Sequence, residues 1–250
     1  DEHNMVLDIG CGSGLLAIEL AEKTDAIIYG IDISEDMLNL ANKNRDKRAE
    51  EFVKRVIKEY KDGGYDFSRP IPAACDPMPE IVDLSRYNKD RSRFVRGSVY
   101  NLSTMAGDKQ VADFVICRNA LHRFREPEKA LQEMYTVLKS GGKIYIRDLR
   151  RDADWKTVVE RIGEQRWKIP ALVRDYVGAM ASTLTADELE RMLCNLGINN
   201  FKFYDGSYAN GTIRSDKNIK EYEKETEYVC IIEKSGGKNG WFKCPLWRGI

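Results

Sequence analysis

The residues able to do chemistry gather at the start of the chain. Val6-Leu7-Asp8-Ile9-Gly10-Cys11-Gly12-Ser13-Gly14 is an apolar run ending in three alternating glycines, and residues from Ser13 to Thr24 follow with helical apolar spacing. Glycines at such a junction let the backbone turn sharply, approach a ligand closely and present free N–H groups at a helix N-terminus. The spacing excludes two common ligands. A dinucleotide turn wants G-x-G-x-x-G, and Leu15 stands where its third glycine belongs. A phosphate loop ends in Gly-Lys-Ser/Thr, which this turn lacks. Asp8, just ahead of the glycines, suits a cationic ligand better than a pyrophosphate. Asp32 closes a second apolar run, Ala26 to Ile31, where a carboxylate can take both hydroxyls of a ribose. A ligand with a ribose, no phosphate and a cationic amino-acid end satisfies both acids.

These residues need elements to hold them. Ser34 reads as the N-cap of a second helix, with Glu35 and Asp36 in its first turn. Strand, helix, strand, helix predicts a parallel sheet with helices on both faces. Arg93 to Arg96 and Ala112 to Cys117 continue the strands. Pro127 to Leu138 is an amphipathic helix stopped by Gly141-Gly142, and Lys143 to Ile146 is the next strand. Thr185-x-x-Glu188 is a capping box for a helix to about Leu196. Phe201 to Tyr204 and Tyr228 to Ile232 are the last strands, and the polar loop near Asn210-Gly211 predicts that they pair as an antiparallel hairpin. The expected fold is α/β: a Rossmann-like, seven-stranded, mostly parallel sheet in a single domain over residues 1–250. Two segments break the rhythm. Residues 43–92 are an insertion, a charged helical stretch (Phe52, Val53, Val56, Ile57, Tyr60) and then a proline-rich loop, expected to serve dimerisation or a protein partner. Residues 152–182 hold two apolar helices split at Pro170, expected to form a lid. Residues 235–250 form a basic tail with Trp241, Phe242, Leu246 and Trp247, expected to pack on its own domain.

S-adenosylmethionine has the makeup that Asp8 and Asp32 ask for. Asp8-Ile9-Gly10-Cys11-Gly12-Ser13-Gly14 with Gly30-Ile31-Asp32 resembles class I S-adenosylmethionine-dependent methyltransferases. The likeness continues in Asp113-Phe114-Val115-Ile116-Cys117-Arg118-Asn119-Ala120-Leu121-His122, Glu126-Pro127-Glu128-Lys129-Ala130-Leu131 and Val137-Leu138-Lys139-Ser140-Gly141-Gly142-Lys143. It covers residues 5–42 and 93–150 well and 183–233 loosely, and is closest to the broad group that methylates quinone-type and other small molecules. The resemblance implies a cofactor site of Asp8, Gly10, Cys11, Gly12, Gly14, Asp32, Ile33, Met37, Ser98, Val99 and Asn119. Gly10 and Gly12 would pass the methionine part, Asp32 the ribose and Met37 the adenine, while Asn119 would border the methyl group. S-adenosylhomocysteine would be the product. Ser98 departs from the family, which often has an acid there for the adenine amino group, so weaker adenine discrimination is expected. Met37 as a core residue and Ser98 as a loop cap are the competing readings.

Methyl transfer from a sulfonium is an in-line displacement in which the protein mainly aligns the acceptor and excludes water. A base is needed only where the acceptor holds a proton. Of the two histidines, His122 follows the Ala112 to Cys117 strand at the edge where open α/β sheets bind ligands, and its side chain type suits a base. Its competing role is to cap the loop beside Phe124. His3 precedes the first strand. Asp148 ends the next strand and could orient the acceptor; pairing with Arg147 or Arg150 is the favoured reading. Arg118, Arg150 and Arg151 could clamp an acceptor anion, with solvated charges preferred for the last two. From the lid, Trp167 and Tyr176 are expected to line the acceptor pocket, against ordinary core packing.

Composition narrows the partners. The 250 residues carry 40 Lys+Arg against 40 Asp+Glu, so no basic field favours nucleic acid. The 42% apolar content contains no run near the roughly 20 residues a bilayer span needs. No basic-then-apolar leader opens the chain. Six scattered cysteines without a C-x-x-C pair suggest a reduced, cytoplasmic protein, and no metal site is expected. The expected activity is methyl transfer to a small-molecule acceptor. The rivals are a protein or RNA methyltransferase and a catalytically silent S-adenosylmethionine-binding module.

Overall fold

Alternate side chains of β1 (Met5–Ile9) enter two different cores, as a central parallel strand requires. The computed structural model describes residues 4–62, 89–159, 169–206, 208–209, 212–213 and 225–236. Val6 packs with Ile28, Phe114 and Ile116 against Ala17 and Leu20 of α1 (Leu15–Lys23). Leu7 and Ile9 enter the larger core on the other face, with Val115, Ile144, Ile146 and Leu131. The remaining strands are β2 (Ile27–Asp32), β3 (Ser92–Arg96), β4 (Ala112–Arg118), β5 (Leu138–Leu149), β6 (Phe201–Asp205) and β9 (Glu227–Glu233). A small separate hairpin pairs β7 (Tyr208–Ala209) with β8 (Thr212–Ile213). The main sheet has the order β3-β2-β1-β4-β5-β9-β6. Only β9 opposes the rest, pairing antiparallel with both β5 and β6. This is the expected seven-stranded, mostly parallel sheet, with its last two strands antiparallel.

The helices that position the ligand edge are α2 (Glu35–Asp62), α3 (Leu102–Met105), α4 (Pro127–Val137), a helix over residues 155–159 (α5), α6 (Pro170–Ser182) and α7 (Ala186–Asn195). Ser34 caps α2 by accepting the Met37 amide at 3.3 Å. The helix then runs unbroken for 28 residues, about 42 Å at 1.5 Å per residue. The charged stretch assigned to the insertion is therefore the outer part of α2, and 63–88 lie outside the described residues. Asn44 donates to the Ser13 carbonyl, Arg45 to the Ser92 carbonyl, and Arg48 pairs with Glu22, which seats the inner half of α2 on α1 and β3.

The α4–β5 junction corrects the sequence reading. The helix does not wait for Gly141-Gly142: it stops at Val137, and β5 begins at once, with Leu138 paired to Ala112. The reason is nonlocal. Lys234, just beyond β9, donates its ammonium to the carbonyls of Tyr135 and Leu138 at 2.8 Å each and lies 5.0 Å from the Tyr135 ring. A cation on the last carbonyls ends the helix favourably. Partial burial pulls the Lys234 pKa down from its ordinary value. By contrast, α7 begins as read, with Thr185 and Glu188 forming a complete capping box. Lys234→Met should destabilise the chain by about 1–3 kcal/mol, because two helix-end carbonyls lose a charged donor. Chemical denaturation followed by circular dichroism measures this, and an unchanged midpoint would show that the cap is idle.

Candidate functional site

The glycine turn is fastened to β2. The amides of Gly10 and Cys11 both donate to the Ile31 carbonyl, at 2.8 and 3.2 Å, and Gly14 N–H donates to the Cys11 carbonyl at 3.0 Å. Gly10 and Gly14 have φ of +70° and +73°, a region that costs L side chains strain. Space is also closed to them. A Cβ on Gly10 would sit 2.6 Å from the Ala120 methyl, and one on Gly14 would sit 2.5 Å from the Phe94 ring. At Gly12 a Cβ would meet nothing, so this is the side of the turn open to a ligand.

Asp32 lies beneath that opening and spans two loops. One carboxyl oxygen accepts the Gly12 amide and the other the Ser34 amide, each at 2.9 Å. Each oxygen keeps a lone pair for a further donor. Asp8 is the opposite case: it is 3% exposed and its Oδ2 has no hydrogen-bond partner. Burial pushes its pKa up to about 7; Arg118 opposes the shift and Asp32 adds to it. The Cys11 thiol is pushed up by burial and by the same two acids. Ile33 and Met37 flank Asp32 in sequence and remain 70% and 44% exposed, so Met37 is not a core residue. Ser98 is a cap: its hydroxyl accepts the Tyr100 amide at 3.2 Å. Val99 is buried in the main core. Asn119 holds a φ of +53°, donates its amide to the Arg147 carbonyl, and precedes the Ala120 that touches Gly10. A left-handed asparagine at this edge is a small store of strain.

The structure overturns the favoured partner for Asp148. Arg147 pairs with Glu227 at 2.6 Å and Arg150 with Asp152 at 2.7 Å, which leaves Asp148 to His122. The β4–β5 register sets Arg118 beside Arg147, so Asp148 comes level with the turn that follows β4. Asp148 Oδ1 lies 2.7 Å from His122 Nδ1, and Oδ2 accepts the His122 amide at 3.0 Å. The Leu149 amide also donates to Oδ1 at 2.8 Å. Both side chains are buried, 5% and 0% exposed. The Asp148 carboxyl thus faces His122 Nδ1, and His122 Nε2 is buried without a hydrogen-bond partner.

A cleft of about 470 Å³ opens beside His122, walled by Arg123 and by α6. Tyr176 does not line it: that residue is buried with Leu149, Ala153, Val158 and Met180 in a satellite core. Trp167 lies outside the described residues. Arg151 is committed to Glu188 and to the Thr183 carbonyl, which ties β5 to α7. Arg118 is exposed at the β4 end, near enough to Asp8 to oppose the rise of its pKa. Sequence reasoning missed Arg174 and Asp175 of the cleft; their signal is a charged pair within an otherwise apolar helix. Among the described residues, no group of three or more His, Cys, Asp or Glu could hold a metal ion, and no helix is long and apolar enough to cross a membrane.

Comparison with known proteins gives a consistent picture. Residues 1–202 match the family described as a methyltransferase domain. A ubiquinone biosynthesis O-methyltransferase of Coxiella burnetii is 24% identical over 147 residues, 59% of this chain and 44% of that protein. A probable cobalt-precorrin-6B C(15)-methyltransferase (decarboxylating) of Methanococcus maripaludis is 31% identical over 91 residues, 36% of this chain and 50% of that protein. The chain thus spans about half the length of the curated relatives it matches. Among solved structures, the plantazolicin methyltransferase BpumL, in complex with a triazolic desmethylPZN analog and SAH, is similar in fold at a TM-score of 0.59 and 16% identity. That alignment covers 94% of this chain and 78% of BpumL.

The raised Asp8 pKa makes a stability prediction. The folded chain keeps a proton up to about pH 7 that an ordinary carboxyl gives up near 3.8, so the folded state is the better proton binder between those values. Stability therefore falls as pH rises from about 4 to 7 and then levels off, by at most about 1.4 kcal/mol per pH unit. Asp8→Asn should flatten this slope, read as melting temperature against pH. Parallel profiles for the two proteins would contradict a buried, titrating Asp8.

Proposed function

Because this chain belongs to the methyltransferase-domain family, we propose that it moves the methyl group of S-adenosylmethionine to a small-molecule acceptor, with His122 taking the acceptor's proton. The observation that carries the proposal is the buried His122–Asp148 pair, whose Nε2 has no hydrogen-bond partner, on the same sheet edge as the glycine turn and the two acids. The residues present fit the donor. Gly12 leaves room for close approach, Asp32 has lone pairs to accept two ribose hydroxyls, and Ile33 and Met37 offer exposed apolar surface to a purine. The orphaned Oδ2 of Asp8 gains from a nearby cation, which offsets the cost of ionising a buried carboxyl. When bound, S-adenosylmethionine supplies a methyl group already activated by the sulfonium charge.

The protein's own part is alignment and proton removal. Asp148 accepts three hydrogen bonds, so its carboxyl is fixed and in turn fixes the imidazole plane. With Nδ1–H directed at Asp148, the unpartnered Nε2 is the ring's remaining basic site, and the positive charge it acquires on taking a proton is stabilised by the carboxyl. Such a base is useful for a hydroxyl or thiol acceptor and idle for one already lacking a proton. Helix α6 walls the cleft beside His122 in which the acceptor would sit.

His122→Gln should lower kcat by about 10²- to 10⁴-fold on an acceptor bearing a proton, while the dissociation constant for S-adenosylmethionine stays within about twofold. S-adenosylhomocysteine release against a panel of phenols, alcohols and thiols, with calorimetry alongside, gives both numbers. An unchanged kcat would return His122 to the role of a loop cap.

A further inference from the structure

The two faces of α6 do different work. Val173, Tyr176, Val177 and Met180, three or four residues apart, pack into the satellite core beneath the lid. Ala171, Arg174, Asp175, Gly178, Ala179 and Ser182 form the other face, which walls the cleft beside His122. Four of these six are small, so the wall leaves volume for a ligand, and a Cβ at Gly178 would meet nothing within 4 Å. The roughly 470 Å³ so formed is the scale of a small organic molecule.

The charges of this wall do not cancel. Asp175 pairs with Arg123 at 3.6 Å across the cleft. Arg174 lines the same cleft, and among the described residues it has no ion-pair or hydrogen-bond partner. The lining thus presents one guanidinium without an ion-pair partner, among small residues of α6, in the cleft that His122 also borders. Arginine's planar fork of donors matches a carboxylate in two parallel hydrogen bonds. We propose that the acceptor is a small hydroxylated acid and that Arg174 selects it by binding its carboxylate, which leaves the hydroxyl for His122. The acceptor role rests on the methyl-transfer reading; the binding of a carboxylate by Arg174 does not.

The test uses matched pairs: para-hydroxybenzoate, meta-hydroxybenzoate and para-hydroxyphenylacetate, each with its neutral primary amide. Binding to the protein with S-adenosylhomocysteine present is followed by NMR titration, for the wild type and Arg174→Gln. At least one acid should bind the wild type about ten- to a hundredfold more tightly than its amide, and Arg174→Gln should abolish that preference while leaving amide affinity unchanged. In turnover the same substitution should raise KM for the acid by a similar factor and hold kcat within about twofold. Equal affinities within every pair, or a preference that survives Arg174→Gln, would overturn the proposal. Acids that bind through Arg174 but never yield S-adenosylhomocysteine would instead sink the methyl-transfer reading and leave the carboxylate site standing. Turnover of amides and acids alike, indifferent to Arg174, would do the reverse.

Discussion

One carboxyl holds the ligand edge together. Asp32 accepts amides from Gly12 and Ser34, so the turn after β1 and the turn into α2 cannot move independently. The rest of the edge is built around that bridge. Ile31, one residue earlier, fastens Gly10 and Cys11 through its carbonyl, and Gly10 in turn admits Ala120 at a distance that no side chain there would allow. The turn after β1 is thereby held against both of its neighbours, β2 and the segment after β4. Asp8 lies under this arrangement with a buried oxygen that the protein does not itself satisfy. A buried carboxyl left short of a partner is costly unless a ligand completes it.

A second constraint places the His122 imidazole. Asp148 sits at the end of β5, ahead of the segment that leads to α6. Thr183 donates to the Leu149 carbonyl at 2.5 Å, and Arg151 reaches Glu188, so the end of α6 and the start of α7 are tied to the strand that carries Asp148. The imidazole, its carboxyl and the cleft wall are consequently set by one strand end. This arrangement explains why a long strand is needed there: twelve residues of β5 reach from the α4 junction to the ligand edge.

Much of the cofactor edge was legible because it is local. Glycine spacing, Asp8 ahead of the turn and Asp32 some twenty residues on lie within one strand–helix–strand unit, where sequence distance approximates spatial distance. The capping box at Thr185 was readable for the same reason. What escaped was set by long-range pairing. Asp148 looked suited to its neighbours Arg147 and Arg150, yet those arginines are taken by Glu227 and Asp152, one of them eighty residues away in sequence. His122 reaches Asp148 only through the β4–β5 register. The end of α4 depends on Lys234, a hundred residues distant, so its glycines were given a stop they do not provide. Tyr176 shows a further limit, since the apolar spacing that identified the lid helix does not say which of its faces looks into a cleft.

The central claim is that the buried acid beneath the glycine turn is completed by a cationic ligand. The most direct measurement is calorimetric titration of S-adenosylmethionine at pH 5.5 and 7.5 into the wild type and Asp8→Asn. Using both proteins cancels the ligand's own titration. With Asp8 near pKa 7 in the free protein, affinity should rise between these pH values about tenfold more for the wild type than for the variant, with proton release on binding at the lower pH. An identical pH dependence in the two proteins, or no binding by the wild type, would contradict the account.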